Sequence, residues 1–186
     1  MRHIEKVTRW FRSAPRRDDS ERGGILLEFG LIAPLLVTLI LGGITTGLAY
    51  DTNNSLNNGA RESARFAATL PVDGAGGMAN WLNQVADTAI ASAGGQMAPT
   101  VADQQLCIAY VHPDGTAAND QTASLAESAG SRLITPGGTC FADGRPDSER
   151  RVQIQLRRSA DIEAIVVTHT VQIEAQSVAR FERASN

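Results

Sequence analysis

The chain has little of what an enzyme site is usually built from. Aromatic residues make up 5% of its 186 residues, with three histidines and two cysteines. So few aromatics argue against a large aromatic-lined substrate cleft. Two cysteines are too few for a disulfide-dense scaffold or a four-cysteine zinc site. His3, His112 and His169 lie far apart, and no H-E-x-x-H, G-x-S-x-G or Walker loop occurs. Gly74-Ala75-Gly76-Gly77 has no strand before it and reads as a linker, not a phosphate cradle. Asp143, Asp147 and Glu149 lack the alternating acids and closing glutamate of an EF-hand loop. A basic excess is also missing: the net charge is -3, which excludes a general nucleic-acid binder. The reading is therefore no enzyme, no cofactor and no metal. Apolar residues are not scarce. At 42% hydrophobic against 20% charged, the chain is not a disordered polymer.

The charge is unevenly placed. Residues 1–22 carry seven basic groups against four acidic ones (+3), and the rest carries ten against sixteen (-6). Between them runs Phe29 to Tyr50, 22 residues without a charge. As a helix this run reaches about 33 Å, against about 30 Å of hydrocarbon. It is apolar all round, which distinguishes it from a helix lying on a surface. Only Thr38, Thr45 and Thr46 dress it, with hydroxyls able to return to carbonyls of the preceding turn. Basic residues before the span put the N-terminus in the cytoplasm and residues 51–186 in the periplasm or outside. Gly47-Leu48-Ala49 fits the small-x-small rule of a cleaved signal peptide, with a mature start at Tyr50. The apolar run is longer than such a peptide needs.

Glu28 fits neither a plain anchor nor a signal peptide. It stands within Ile25-Leu26-Leu27-Glu28-Phe29-Gly30-Leu31-Ile32, where an ionisable group costs about 2.5–3.5 kcal/mol at the bilayer centre and less near an interface. Just upstream is Arg22-Gly23-Gly24. A cut between Gly23 and Gly24 leaves an amine at Gly24 and makes Glu28 the fifth mature residue. A basic leader, a glycine before the scissile bond, four apolar residues, then glutamate and an aromatic (Phe29) together resemble the class III signal of type IV prepilins. More narrowly, the run from Arg22 to Leu36, with Pro34 inside it, resembles the start of TadE-like proteins, minor pilins or pseudopilins of tight-adherence (Flp) pili. Gly59-Ala60-Arg61-Glu62-Ser63-Ala64-Arg65-Phe66-Ala67-Ala68 is similar to a second family segment, with Ser63 and Phe66 where glycine and tyrosine are common. The resemblance covers residues 22–68.

The resemblance implies a precursor with a leader at 1–23, a transmembrane helix at 24–50, a helical extension at 51–70 and an exported head at 71–186. It implies removal of the leader by prepilin peptidase at Gly23 and Gly24. It also implies that Glu28 sets assembly register by pairing with a neighbour's N-terminal amine, since either charge alone in lipid is costly. The implied partners are the major Flp pilin, sibling minor pilins, the inner-membrane assembly platform and the lipid bilayer. The implied place is the inner membrane, single-pass, with the subunit entering an adhesive extracellular pilus. Pro34 reads equally as a tolerated kink or as a bend used on leaving the bilayer. Gly43 and Gly47, one turn apart, form a packing face against another helix or are ordinary membrane-helix composition. Two other readings stand: an uncleaved, membrane-anchored periplasmic binding or sensor protein, and a type II secretion pseudopilin.

The exported part reads as α+β: one or two helices on a three- to four-stranded antiparallel sheet. Leu56, Ala60, Ser63, Ala64 and Ala67 share one face of the extension, and Leu70 to Gly77 ends it. Arg61 and Arg65, one turn apart, read as a solvated face. A second helix is predicted over Asn80–Ala93, capped by Asn80, stopped by Gly94-Gly95, with Trp81, Leu82, Val85, Ala86, Ala89 and Ile90 as its core stripe. Strands are predicted at Leu106–His112, at Val152–Arg157 and over Val171–Phe181, each with period-two patterning or β-forming residues. Residues 159–167 read as a short helix or turn, and His112–Arg151 as loop. Cys107 and Cys140, an even pair in an oxidising compartment, read as a disulfide or as two buried thiols.

Overall fold

The computed structural model describes residues 19–72, 77–98, 103–111, 123–128, 130–146, 149–164 and 167–181. Among the described residues two helices are followed by five strands: α1 (Asp19–Thr69), α2 (Gly77–Ser92), β1 (Gln105–Val111), β2 (Ala123–Ser128), β3 (Ser131–Pro136), β4 (Arg151–Ala164) and β5 (Val167–Arg180). The chain divides into two compact units, one ending at Ile40 and one running from Leu41 to Asn186. The α+β class is as expected, with one helix among the described residues apolar and long enough to cross a membrane by length and composition.

The sheet is larger than predicted: five antiparallel strands in the order β3-β2-β1-β4-β5. The additional pair, β2 and β3, lies in the segment read as loop. Its register runs from Ser124↔Thr135 to Ser128↔Ser131 across a tight turn at Gly130 (φ 78°). Small polar residues hid it, because β3 is largely exposed and has no apolar alternation to detect. Residues 159–167 are also a correction. Residues 159–164 and 167 are strand, and β4 and β5 continue to pair from Ser159↔Gln172 to Ala164↔Val167, beyond the last β1 partner at Arg157; residues 165–166 lie outside the described residues. The pair thus leaves the sheet as a two-stranded ribbon.

The helices cover one face of the sheet. Leu106, Ile108 and Tyr110 of β1, Val152, Ile154 and Leu156 of β4, and Ile173 and Ala175 of β5 alternate into a core completed by Leu56, Ala60, Ala64 and Ala67 of α1 and the α2 stripe. Ser63 is buried on the same α1 face, its hydroxyl donating to the Gly59 carbonyl at 2.6 Å. Trp81 is core, edge-on to Tyr110 with ring centroids 5.5 Å apart. Phe181 closes the aromatic trio 5.2 Å from Tyr110, and the Arg150 guanidinium stacks 5.0 Å from the Phe181 centroid. α2 begins at Gly77, so Asn80 lies inside its first turn and not at its cap. Gly94 and Gly95 stop it as predicted, both in the left-handed region (φ 59° and 82°).

The other face is covered in part by residues 137–146. Cys107 and Cys140 are disulfide-bonded across 33 residues, their Cα atoms 5.7 Å apart. Closing a loop of that length stabilises by roughly 3–4 kcal/mol on chain entropy alone. Beneath this strap lies Gln153, fully buried although its parity reads as solvent-facing. Its amide donates to the Phe141 carbonyl (3.0 Å) and to Asp143 (2.9 Å), and its carbonyl accepts from the Cys140 N–H (3.1 Å).

Candidate processing and assembly segment

Over Gly23–Tyr50 α1 runs through Pro34 and several glycines, on a stretch where apolar residues dominate and threonine hydroxyls bond back one turn. Thr38 donates to the Pro34 carbonyl (2.8 Å) and Thr45 to the Leu41 carbonyl (3.0 Å). Pro34 lies inside the helix, which continues through it. Its missing N–H removes the donor for the Gly30 carbonyl. Gly23 and Gly24 are exposed within the helix, and a Cβ added at either would meet nothing within 4 Å. Residues 1–18 of the expected leader lie outside the described residues.

Glu28 and Phe29 are exposed on the helix surface. Ile25, Leu26, Leu27, Leu31, Leu35 and Leu39 are each more than 60% exposed. So much apolar surface without a covering partner does not suit water. One such helix near the N-terminus points to a single-pass membrane anchor. Gly43 and Gly47 present open backbone one turn apart, with nothing within 4 Å of an added Cβ.

Higher on α1 the small residues have a use that the sequence reading missed. A Cβ at Gly59 would come within 3.1 Å of the Ala93 backbone and methyl, so glycine lets α1 and the end of α2 meet closely. The signal was present in the runs of small residues, Gly59, Ala60, Ser63 and Ala64 on α1 and Ala86, Ala89 and Ala93 at and beyond α2, of which Gly59 and Ala93 meet. Thr52, buried beside this contact, donates to the Leu48 carbonyl (3.0 Å) and the Gln96 side-chain oxygen (3.4 Å).

A group of charged residues in the head ties the 143–151 segment to the sheet. Asp143 sits in a buried ion pair with Arg151 (2.7 Å), whose guanidinium also donates to the Pro146 and Glu149 carbonyls. Burial alone would raise the Asp143 pKa. Hydrogen bonds from Gln153, the Arg145 N–H and Arg151 outweigh it and hold the carboxyl below its ordinary range. Glu149 is held low first by its hydrogen bond from Arg180 and then by Arg145, 2.7 Å away. Two of the three acids weighed for calcium are therefore engaged by arginine; Asp147 lies outside the described residues. Among the described residues no three metal-ligating side chains cluster. His169 is exposed on β5.

No curated protein and no solved structure matches the chain. A family model does: residues 23–65, from the glycine pair through the apolar span to Arg65, match the model described as TadE-like protein. The stretch on which the resemblance was read is thus the stretch that matches, and the chain is consistent with a TadE-like pilin of the tight-adherence system.

Proposed function

We propose that this chain is the precursor of a minor pilin of a tight-adherence pilus, held in the inner membrane by α1 until it packs with other pilins. The observation that carries the reading is the union of one feature and one match. Glu28 is exposed in the uncovered apolar stretch of α1, and that stretch lies within the TadE-like segment. A lone carboxylate in lipid is costly unless a cation meets it. The N-terminal amine created by cutting between Gly23 and Gly24 is such a cation, one turn away on the same helix of a neighbouring subunit. Pairing then favours one stagger between subunits. Leu26, Leu27 and Leu31 supply the apolar flank, and Gly43 and Gly47 a surface where a second helix can approach closely.

The family is structural and not enzymatic, which agrees with the absence of catalytic motifs in the sequence. In this reading prepilin peptidase removes residues 1–23, and the cytoplasmic N-terminus and periplasmic head follow from the charge asymmetry. The major Flp pilin, sibling minor pilins and the assembly platform are the partners. A head of this size suits a minor subunit whose surface, more than its helix, distinguishes it. The test is complementation of a strain lacking the chain. Wild type should restore surface pili and attachment. Glu28→Ala should be cut normally yet restore neither, while a strain that makes pili equally well without the chain would refute the role.

A further inference from the structure

One cluster of cations is absorbed neither by the core nor by the pilin reading. Arg61 and Arg65 stand exposed one turn apart on α1, and neither makes an ion pair among the described residues. Like charges at this spacing repel. They line one wall of a groove of about 1090 Å³, whose other wall is Gly144–Pro146 with Glu149 and the end of β5 from Ser177 to Arg180. Arg145 and Arg180 face in from that side and share Glu149. The groove thus holds four guanidinium groups against one carboxylate, and that carboxylate is already engaged. Its floor is small, with Ala64, Ala68 and Ala179, so the cations stand around open space.

The second observation concerns shape. β5 is an edge strand; its one partner in the sheet order is β4. An open edge offers backbone groups to an extended chain, and side chains alternating from such a chain reach a flanking wall. Guanidinium forks match carboxylates in paired hydrogen bonds. We infer that this groove between α1 and β5 is a docking site for an extended acidic peptide segment of a partner protein, with Arg61 and Arg65 taking its carboxylates and Arg180 assisting. The inference goes beyond the pilin reading and stands whether or not residues 1–23 are removed.

The test uses the full-length chain in detergent micelles and a fluorescent peptide of alternating glutamate and threonine, followed by anisotropy. The acidic peptide should bind, and an alternating lysine–threonine peptide should not. Arg61→Gln with Arg65→Gln should weaken binding roughly tenfold or more, with the circular dichroism melt no lower than wild type. Arg157→Gln, which removes a head cation outside the groove, should leave binding nearly unchanged. Arg61→Glu with Arg65→Glu, which leaves two guanidinium groups against three carboxylates, should turn the preference toward the basic peptide. Absence of acidic-peptide binding would overturn the site. So would equal weakening by Arg157→Gln, or full displacement by millimolar inorganic phosphate or by vesicles of anionic phospholipid. Those last results would mean diffuse charge, a small anion or a membrane in place of a peptide.

Discussion

Asp143 is the residue on which the strap over the second sheet face depends. With its pKa depressed in the folded state, its contribution is present above the unfolded value of about 3.9 and is lost as pH falls through the folded one. Glu149 and Glu174 shift in the same direction, Glu174 first through its hydrogen bond from Gln155 and then from Arg157. Stability should therefore be flat from neutral pH to about pH 5 and fall progressively below about pH 4. Asp143→Ala should cost about 3–5 kcal/mol at neutral pH, because Arg151 is left buried without its counter-charge. It should also flatten the acid limb of a denaturation series. Gln104 is the opposite case: 2% exposed, with neither end of its side-chain amide hydrogen-bonded. Gln104→Leu should stabilise by about 1 kcal/mol or more, read as a higher melting midpoint.

Among the elements, α1 is the one with two environments. Below Tyr50 its glycines open onto empty space; above it, Gly59 is pressed against Ala93. Gly59→Leu should destabilise the head by about 1–3 kcal/mol, while Gly43→Leu leaves its melting midpoint unchanged. The face of α1 that packs the core was legible in the sequence, since Leu56, Ala60, Ser63, Ala64 and Ala67 recur at helical spacing and all are buried. So was the apolar parity of β4 and β5. What was not legible depended on tertiary covering. Gln153 reads as solvent-facing until the disulfide-tethered strap is known, and β2 and β3 have too little apolar alternation to announce strands. Residues 159–164 misled because a ribbon leaving its sheet keeps no single buried face. The TadE-like stretch was legible as a motif local in sequence, two glycines, an apolar run and one glutamate, and the cut between Gly23 and Gly24 is proposed on that motif.

At the scale of the whole molecule, a disulfide-strapped α+β head and an uncovered apolar helix make sense together only where the helix is covered by lipid or by other helices. The pilin account says that both happen in turn, and that the switch begins with a cut between Gly23 and Gly24. Intact-mass spectrometry of the protein from native-host membranes tests this most directly, with Gly23→Leu beside wild type. The account predicts that wild type lacks residues 1–23 and that Gly23→Leu retains them. A wild-type chain that keeps its leader, or one that begins at Tyr50, would contradict it.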